Sequence, residues 1–264
     1  MIDAQNLFKT FNPGTPLENP VLRGLSLHLQ QGEFVSVIGS NGAGKSTLLN
    51  SLAGEVIVDS GKIEIDGQDL TKLPTHKRAA NVARVFQDPL AGTCANLTIE
   101  ENLALAFKRG DKRFLSPAVK RSYIGRFKDS LAQLELGLES RLHDRMGLLS
   151  GGQRQAVSLL MASLRPSSIL LLDEHTAALD PKTAAFVLKL TEDIITERKM
   201  TTLMVTHSMR QALDIGTRTI MLHQGQVVFD ISGEEREGLE VADLLRLFER
   251  QRGEEVTDDA LLLS

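Results

Sequence analysis

Tryptophan is absent from the 264 residues, tyrosine occurs once, at Tyr123, and cysteine once, at Cys94. A single cysteine excludes an intramolecular disulfide and any cysteine-cluster metal site, and it fits a reducing compartment. So few aromatics leave little to stack single-stranded bases on. A basic excess is also lacking: Lys and Arg number 30 against 34 Asp and Glu, a net charge of −4. That balance, spread along the chain, argues against a free-standing nucleic-acid binder. No apolar run approaches the roughly 20 residues that a membrane span needs. The densest, Ile169–Leu172, is stopped at once by Asp173 and Glu174. Met1–Asn6 carries no basic region followed by an apolar stretch, so it is not a secretory signal. The chain reads as a soluble, cytosolic globular protein. Its 42% hydrophobic content suffices for one large domain or two small ones.

The first third is β-rich. Leu25, Leu27 and Leu29 alternate with Ser26 and His28, the period of a half-buried strand. Phe34–Ile38 is a short apolar strand running into glycines, Gly44 to Leu52 reads as a helix closed by Gly54, and Lys62–Ile65 runs into an Asp66-Gly67 turn. From about Asn96 to Arg165 the period turns helical. Thr98 with Glu101 makes a capping box, Ser116-Pro117 signals a second start, and Val119, Tyr123, Phe127, Leu131 and Leu134 share one face up to Gly137. The framework then resumes: strand Ser168–Leu172, a helix from Asp180-Pro181 to about Arg198, strand Thr202–Thr206, a short helix over Ser208–Asp214 and a hairpin of Thr219–His223 with Gln226–Phe229. Strands alternating with helices imply a parallel sheet with right-handed crossovers. The end of the chain carries Val241, Leu244, Leu245 and Phe248 at helical spacing, then a polar stretch over Gly253–Asp259.

Three motifs carry chemistry. Gly39-Ser40-Asn41-Gly42-Ala43-Gly44-Lys45-Ser46-Thr47 follows a strand and opens a helix, as a P-loop must. Its glycines let backbone N–H groups wrap a phosphate, and the helix N-terminus adds its positive dipole end. Lys45 can reach the β- and γ-phosphates, and the Ser46 hydroxyl can ligate Mg²⁺. Asp173-Glu174 ends an apolar strand 128 residues after Lys45. Asp173 would hold the metal and Glu174 could accept a proton from an attacking water. The strands ending at Ile38 and Leu172 can be sheet neighbours. The third motif, Leu149-Ser150-Gly151-Gly152-Gln153, puts a hydroxyl and two glycine amides at a helix start, a second anion site.

With that third motif the chain, from Ile2 to about Phe229, resembles the nucleotide-binding subunit of an ABC transporter. The resemblance implies an α/β P-loop NTPase fold of ABC type, a mixed or parallel sheet core with an antiparallel β subdomain. It also implies an ATPase domain over 1–231, a helical subdomain over about 94–165 inserted in its RecA-like core, and a short helical tail over 232–264. ATP and Mg²⁺ are the implied ligands. Ser40 to Thr47 (Ser40, Asn41, Gly42, Ala43, Gly44, Lys45, Ser46, Thr47) would bind the nucleotide of one subunit, and Ser150, Gly151, Gly152 and Gln153 the γ-phosphate held by the other. The active unit is then a head-to-tail dimer, of this chain or with a paralogue. Phe11 lies where the family stacks an aromatic on adenine, with Phe8 as its rival. Gln87 resembles the Q-loop glutamine that senses Mg²⁺ and the water, so Ser46, Gln87 and Asp173 form the expected metal set. Ala177-Ala178-Leu179-Asp180 resembles the D-loop that crosses the dimer interface. His207 resembles the switch histidine, which completes a catalytic set with Glu174, Gln87 and Lys45.

His175 departs from the pattern, because most of the family has proline after the catalytic Glu. It could orient Glu174, touch the other subunit, fill the proline's place, or pair with Asp173. His28, His76, His143 and His223 lack a partner at metal spacing and read as solvated or hydrogen-bonded side chains. Cys94 lies in a segment that, in related proteins, forms part of the groove where the permease's cytoplasmic helix docks. The charged stretch Lys108–Arg113 reads as a solvated loop.

Three classes of function fit such a chain. One is the energy-coupling subunit of a transporter with a separate permease, which would hold it at the inner face of the membrane. Another is a soluble ABC ATPase; its chromosome-handling branch is out, since only 103 residues separate Thr47 from Gly151. A third is a non-catalytic scaffold, disfavoured because no catalytic position is missing. The insertion Asn12–Pro20 is similar to lipoprotein-release and efflux ATPases. Phe86-Gln87-Asp88-Pro89, Gly147-Leu148-Leu149-Ser150 and the segment from Asp173 to Asp180 resemble an importer group. That group works with lipoprotein substrate-binding partners, some linked to amino acids. Import is the favoured reading, with no nucleic-acid partner. The apolar face of the tail packs either on its own domain or on the dimer mate.

Overall fold

The computed structural model describes residues 1–111 and 119–252. The helix start expected at Ser116-Pro117 lies outside them, as do Lys112, Arg113 and the polar stretch 253–259. Strands β1 (Ile2–Phe11), β2 (Asn19–Leu29), β4 (Ser60–Ile65) and β5 (Gln68–Asp69) form an antiparallel sheet in the order β2-β1-β4-β5. β2 buries Leu25, Leu27 and Leu29 and exposes Ser26 and His28, the alternation its sequence predicts. The second sheet runs β10-β9-β3-β8-β7-β6, from Gln226–Ser232, Arg218–His223, Phe34–Ile38, Thr202–Val205, Ile169–Asp173 and Val82–Val85. Only β10 is antiparallel to its neighbour in that sheet.

That order corrects one expectation. β3 and β7 are not neighbours: β8 lies between them, pairing Phe34 with Thr202 on one edge and Leu170 with Thr202 on the other. The ladders run one residue past the strand, from Thr206 N to Val37 O and from Glu174 N to Val205 O. The chain leaving β8 therefore emerges between the loop after β3 and the acidic end of β7.

Both faces of this sheet are covered, which is why its strands are continuously apolar rather than alternating. Ile169 and Leu171 join a core with Val35, Val37, Leu222 and helix α1 (Lys45–Ala53), shared with the antiparallel sheet. Leu170 and Leu172 face the other way, onto Ile194 and Ile195 of helix α6 (Pro181–Arg198). The short helix α2 (Thr75–Arg78) precedes β6. Between β6 and β7 the helices α3 (Ile99–Phe107), α4 (Arg121–Ala132) and α5 (Gly151–Ser163) build a core of their own, with Leu103, Phe127, Leu131, Met146 and Val157. The predicted capping box is present: Thr98 Oγ1 accepts from Glu101 N, and the Glu101 carboxylate from Thr98 N.

The apolar face of the tail packs on its own domain. In α8 (Val241–Arg252), Leu244 and Phe248 are fully buried against Ile38, Met209, Ala212 and Met221. Just before it, Arg236 donates to the carbonyls of Ala212, Leu213 and Ile215. It thus places a cation on the C-terminal end of α7 (Met209–Asp214), where the helix dipole favours one. Phe248→Ala should cost about 3–5 kcal/mol in urea unfolding. Leu17→Ala, at a side chain 76% exposed, should stay within about 0.5 kcal/mol.

Candidate active site

The loop between β3 and α1 is shaped by close backbone approach. Gly39 has φ +149°, and a Cβ there would sit 2.2 Å from the Leu222 carbonyl oxygen. Gly44 has φ +102°, and a Cβ would crowd the Val21 carbonyl at 3.1 Å. The β9–β10 turn closes on the same loop: Gly225 N donates to Ala43 O, and Gly225 O accepts from Arg23 N. Helix α1 begins at Lys45 with no side-chain cap, so its N-terminal dipole is available to an anion. The Lys45 Nζ donates to Gly39 O at 2.6 Å and Ser40 O at 3.1 Å, curling the ammonium into the loop. Burial lowers its pKa, while Glu174 and Asp173 act in the opposite sense. Asn41, Gly42 and Ser46 are exposed, Ser40 and Thr47 half-buried, and Ala43 buried.

The acidic side of the site is anchored by a residue that was not singled out in the sequence. Asp173 Oδ2 accepts from Arg84 Nη2 at 2.6 Å, and Arg84 Nη1 also donates to Asn50 Oδ1 of α1 at 2.8 Å. Glu55 completes the cluster, 2.9 Å from Arg84 Nη1, and the guanidinium lies over the Phe86 ring at 4.6 Å. A charged residue inside the strand Val82–Val85 was the available signal, because a buried charge needs partners. Glu174 follows in a left-handed conformation, φ +42°. Its Oε2 lies 3.3 Å from Nδ1 of His207. The histidine leaves β8 just ahead of α7, whose cap Ser208 accepts from Gln211 N. So Glu174 and His207 meet at the ends of the neighbouring strands β7 and β8, and β8 adjoins the strand that leads into the P-loop. Ser46, Asp173 and Gln87 offer an all-oxygen donor set from hydroxyl, carboxylate and amide, which suits Mg²⁺. Gln87 is exposed on the segment leaving β6. That segment is held by buried Gln155 of α5, whose Nε2 donates to the Phe86 carbonyl at 3.1 Å.

The signature residues split by role. Ser150 Oγ accepts from Gln153 N and Gln153 Oε1 from Ser150 N, a capping box for α5. Gly151 is exposed and Gly152 is buried. A Cβ on Gly152 would come within 2.1 Å of the Thr183 methyl carbon, so its small size is what lets α5 close on α6. The two candidate adenine platforms also separate. Phe8 lies on Gly24. Phe11 pairs with Asn19 at the end of the β1–β2 ladder, and Asn19 stands two residues before Val21, whose carbonyl a Cβ on Gly44 would crowd. Lys9 Nζ is 5.7 Å from the Phe11 ring centroid.

A single-family match accounts for this combination. The ABC transporter family profile matches residues 22–177. This chain belongs to the ABC transporter family. It is therefore an ATP-binding cassette, an ATPase that uses ATP with Mg²⁺ to power transport. It is 47% identical over 251 residues to a tyrosine transport ATP-binding protein of Clostridioides difficile (strain R20291), covering 94% of this chain and 99% of that one. It is 36% identical over 204 residues to the thiamine import ATP-binding protein ThiQ of Escherichia coli (strain K12), covering 77% and 83%. Its fold is also similar to that of an ATP-binding cassette, MJ0796, solved as a dimer in a post-hydrolysis state with ADP and Pi, with a TM-score of 0.74 and 30% identity over 88% of this chain and 98% of that one.

The remaining expected positions fall outside the catalytic cluster. His175 does not pair with Asp173: it is buried, and its Nε2 lies 3.0 Å from Thr191 Oγ1 in α6. Burial pulls its pKa down to about 4. His28 lies 3.8 Å from Asp3, His143 3.3 Å from Glu100, and the His223 ring packs edge-on to Phe248. Among the described residues no group of three or more His, Cys, Asp or Glu could hold a metal ion. Cys94 is exposed on a groove of about 800 Å³ shared with Phe86, Leu105 and Ser158.

Gly152→Ala should destabilise the fold by about 1–3 kcal/mol, and adding Thr183→Ser, which removes the opposing methyl, should restore most of the loss in thermal unfolding. His175 sets a pH dependence of stability. Below pH 6.5 the unfolded chain takes up a proton that the folded chain refuses until about pH 4. Stability from this residue is thus present above pH 6.5 and lost as pH falls towards 4, by up to about 1.4 kcal/mol per unit. Between pH 7.5 and 5, urea unfolding should show the wild type losing about 2 kcal/mol more than His175→Leu.

Proposed function

We propose that this chain is the ATP-hydrolysing subunit of an importer, working as a head-to-tail dimer with a second copy or a paralogue beneath a separate permease. The observation that carries the reading is the convergence of Lys45, Asp173, Glu174 and His207 at the ends of β3, β7 and β8, with Glu174 and His207 3.3 Å apart. In this reading residues 1–231 are the ATPase domain, 94–165 its helical subdomain and 232–264 the tail.

Phosphoryl transfer asks mainly for positioning and charge stabilisation. Ser40 to Thr47 wrap the phosphates, Lys45 moves from the loop carbonyls to the β- and γ-phosphates, and Phe11 stacks on the base. Ser46, Asp173 and Gln87 would hold Mg²⁺, which would offset the charge of the phosphates. Glu174 takes the proton of the attacking water, and His207 fixes that carboxylate and meets the γ-phosphate. Ser150, Gly151, Gly152 and Gln153 of the facing subunit close the site from the other side. Hydrolysis opens the dimer, and the movement passes through Gln87 and the groove around Cys94 and Leu105 to the permease's cytoplasmic helix.

The name of the thiamine import relative supports import, and that of the tyrosine transport relative supports an amino acid as cargo; an extracytoplasmic, lipoprotein-type binding protein rests on the sequence resemblance alone. In the described residues no helix is long and apolar enough to cross a membrane, so in this reading attachment to the inner face comes through the permease.

Glu174→Gln should lower kcat by about 10²–10⁴-fold while retaining bound ATP, and Lys45→Ala should weaken ATP binding itself. A Glu174→Gln protein that turned over ATP at the wild-type rate would sink the assignment. Uptake of labelled tyrosine by cells with the gene deleted, against the complemented strain, tests the cargo.

A further inference from the structure

His175 is used by none of these steps, yet it is among the most deeply buried polar side chains, 2% exposed. Its one described hydrogen-bond contact is to Thr191 Oγ1 at 3.0 Å, and Thr191, fully buried, itself donates to the Val187 carbonyl at 2.7 Å. A threonine hydroxyl has a single proton. With that proton on Val187, the imidazole must be the donor, so Nε2 carries its hydrogen. The histidine therefore ties the end of β7 to the middle of α6 by a directed bond in a dry environment, where such bonds hold position well.

What that bond holds is the residue before it. Glu174 has φ +42°, a left-handed conformation that costs a non-glycine residue about 1–2 kcal/mol. It persists only where the surroundings over-determine it. On one side the strand ladder does so, through Glu174 N to Val205 O. After Glu174 the chain turns, with Ala177 N donating to Glu174 O and Leu179 N to Thr176 O, and Ala177 and Ala178 are exposed. Within this turn the His175 side chain reaches inward to α6.

We propose that His175 is a positioning residue: its bond to Thr191 holds Glu174 in the conformation that faces His207, and with it the exposed turn over residues 176–179. Released from that bond, Glu174 can relax its backbone and swing its carboxylate away from His207. The inference rests on the reading of Glu174 as the proton acceptor, so the test includes that residue.

ATPase rates and ATP affinity of the full chain are measured for His175→Leu, Thr191→Val, Thr191→Ser and the Leu/Val double variant, with Glu174→Gln alongside. His175→Leu leaves Thr191 satisfied by Val187, and Thr191→Val is isosteric. Each should lower kcat by about tenfold or more with the Kd for ATP within about twofold of wild type. Thr191→Ser, which keeps the hydroxyl, should stay close to the wild-type rate. The double variant should be no slower than the slower single one, since both remove the same bond. If His175→Leu fails to fold, the Thr191→Val and Thr191→Ser pair reads the same interaction. Rates near wild type in the folded single variants, or losses that multiply in the double, overturn the proposal while leaving an inactive Glu174→Gln, and hence the site, intact. An active Glu174→Gln overturns both.

Discussion

The pairing of β8 with both β3 and β7 is the constraint on which the rest of the site depends. Parallel ladders bring strand ends into line, so three segments distant in sequence release their next residues side by side. The loop after β3 releases Lys45, β7 releases Asp173 and Glu174, and β8 releases His207. Because β8 is central, the histidine comes to Glu174 rather than to the outer edge of the sheet. The apolar continuity of these strands is the energetic side of the same arrangement. Cores on both faces fix the register, and a slip of one residue would exchange the two cores completely.

Charge is then set against that rigid frame. The site gathers an ammonium and two carboxylates in partly buried surroundings, where an unpaired charge is costly. Arg84 answers for Asp173 and links it to α1 through Asn50, so the two halves of the phosphate site share one guanidinium. Lys45 is satisfied by loop carbonyls. His175, one residue beyond Glu174, shows the opposite solution, a titratable group kept neutral by burial and used for its hydrogen bond. Away from the site, Arg236 and Phe248 fasten α7, the helix that follows His207, to the end of the chain.

Much of this was legible in the residues because local signals depend on local physics. Glycines at 39, 42 and 44 before a lysine at a helix start announce a phosphate loop, and Thr98 with Glu101 or Asp180 with Pro181 announce helix starts. The alternation in β2 and the continuous apolarity of β7 tell a one-sided sheet from a two-sided one. What could not be read depends on who sits beside whom. Neighbouring β3 and β7 were compatible with the pattern of the sequence, and only the pairing of β8 decided otherwise. Arg84 lay unmarked in its strand, since nothing local to Val82–Val85 names Asp173 as its partner.

The sequence by itself determined the chemistry available here: a phosphate loop, an acidic pair after a buried strand, a second glycine turn at a helix start, and no stretch long enough to span a bilayer among the apolar runs. Each follows from residue type and spacing over a few positions. The tertiary structure alone decided that His207 reaches Glu174, that Gly152 is small to admit Thr183, that α8 folds back onto its own domain and that His175 bonds to α6. These are contacts between segments far apart in the chain, and their free energy comes from packing and hydrogen bonds that exist only once the sheets and helices have assembled.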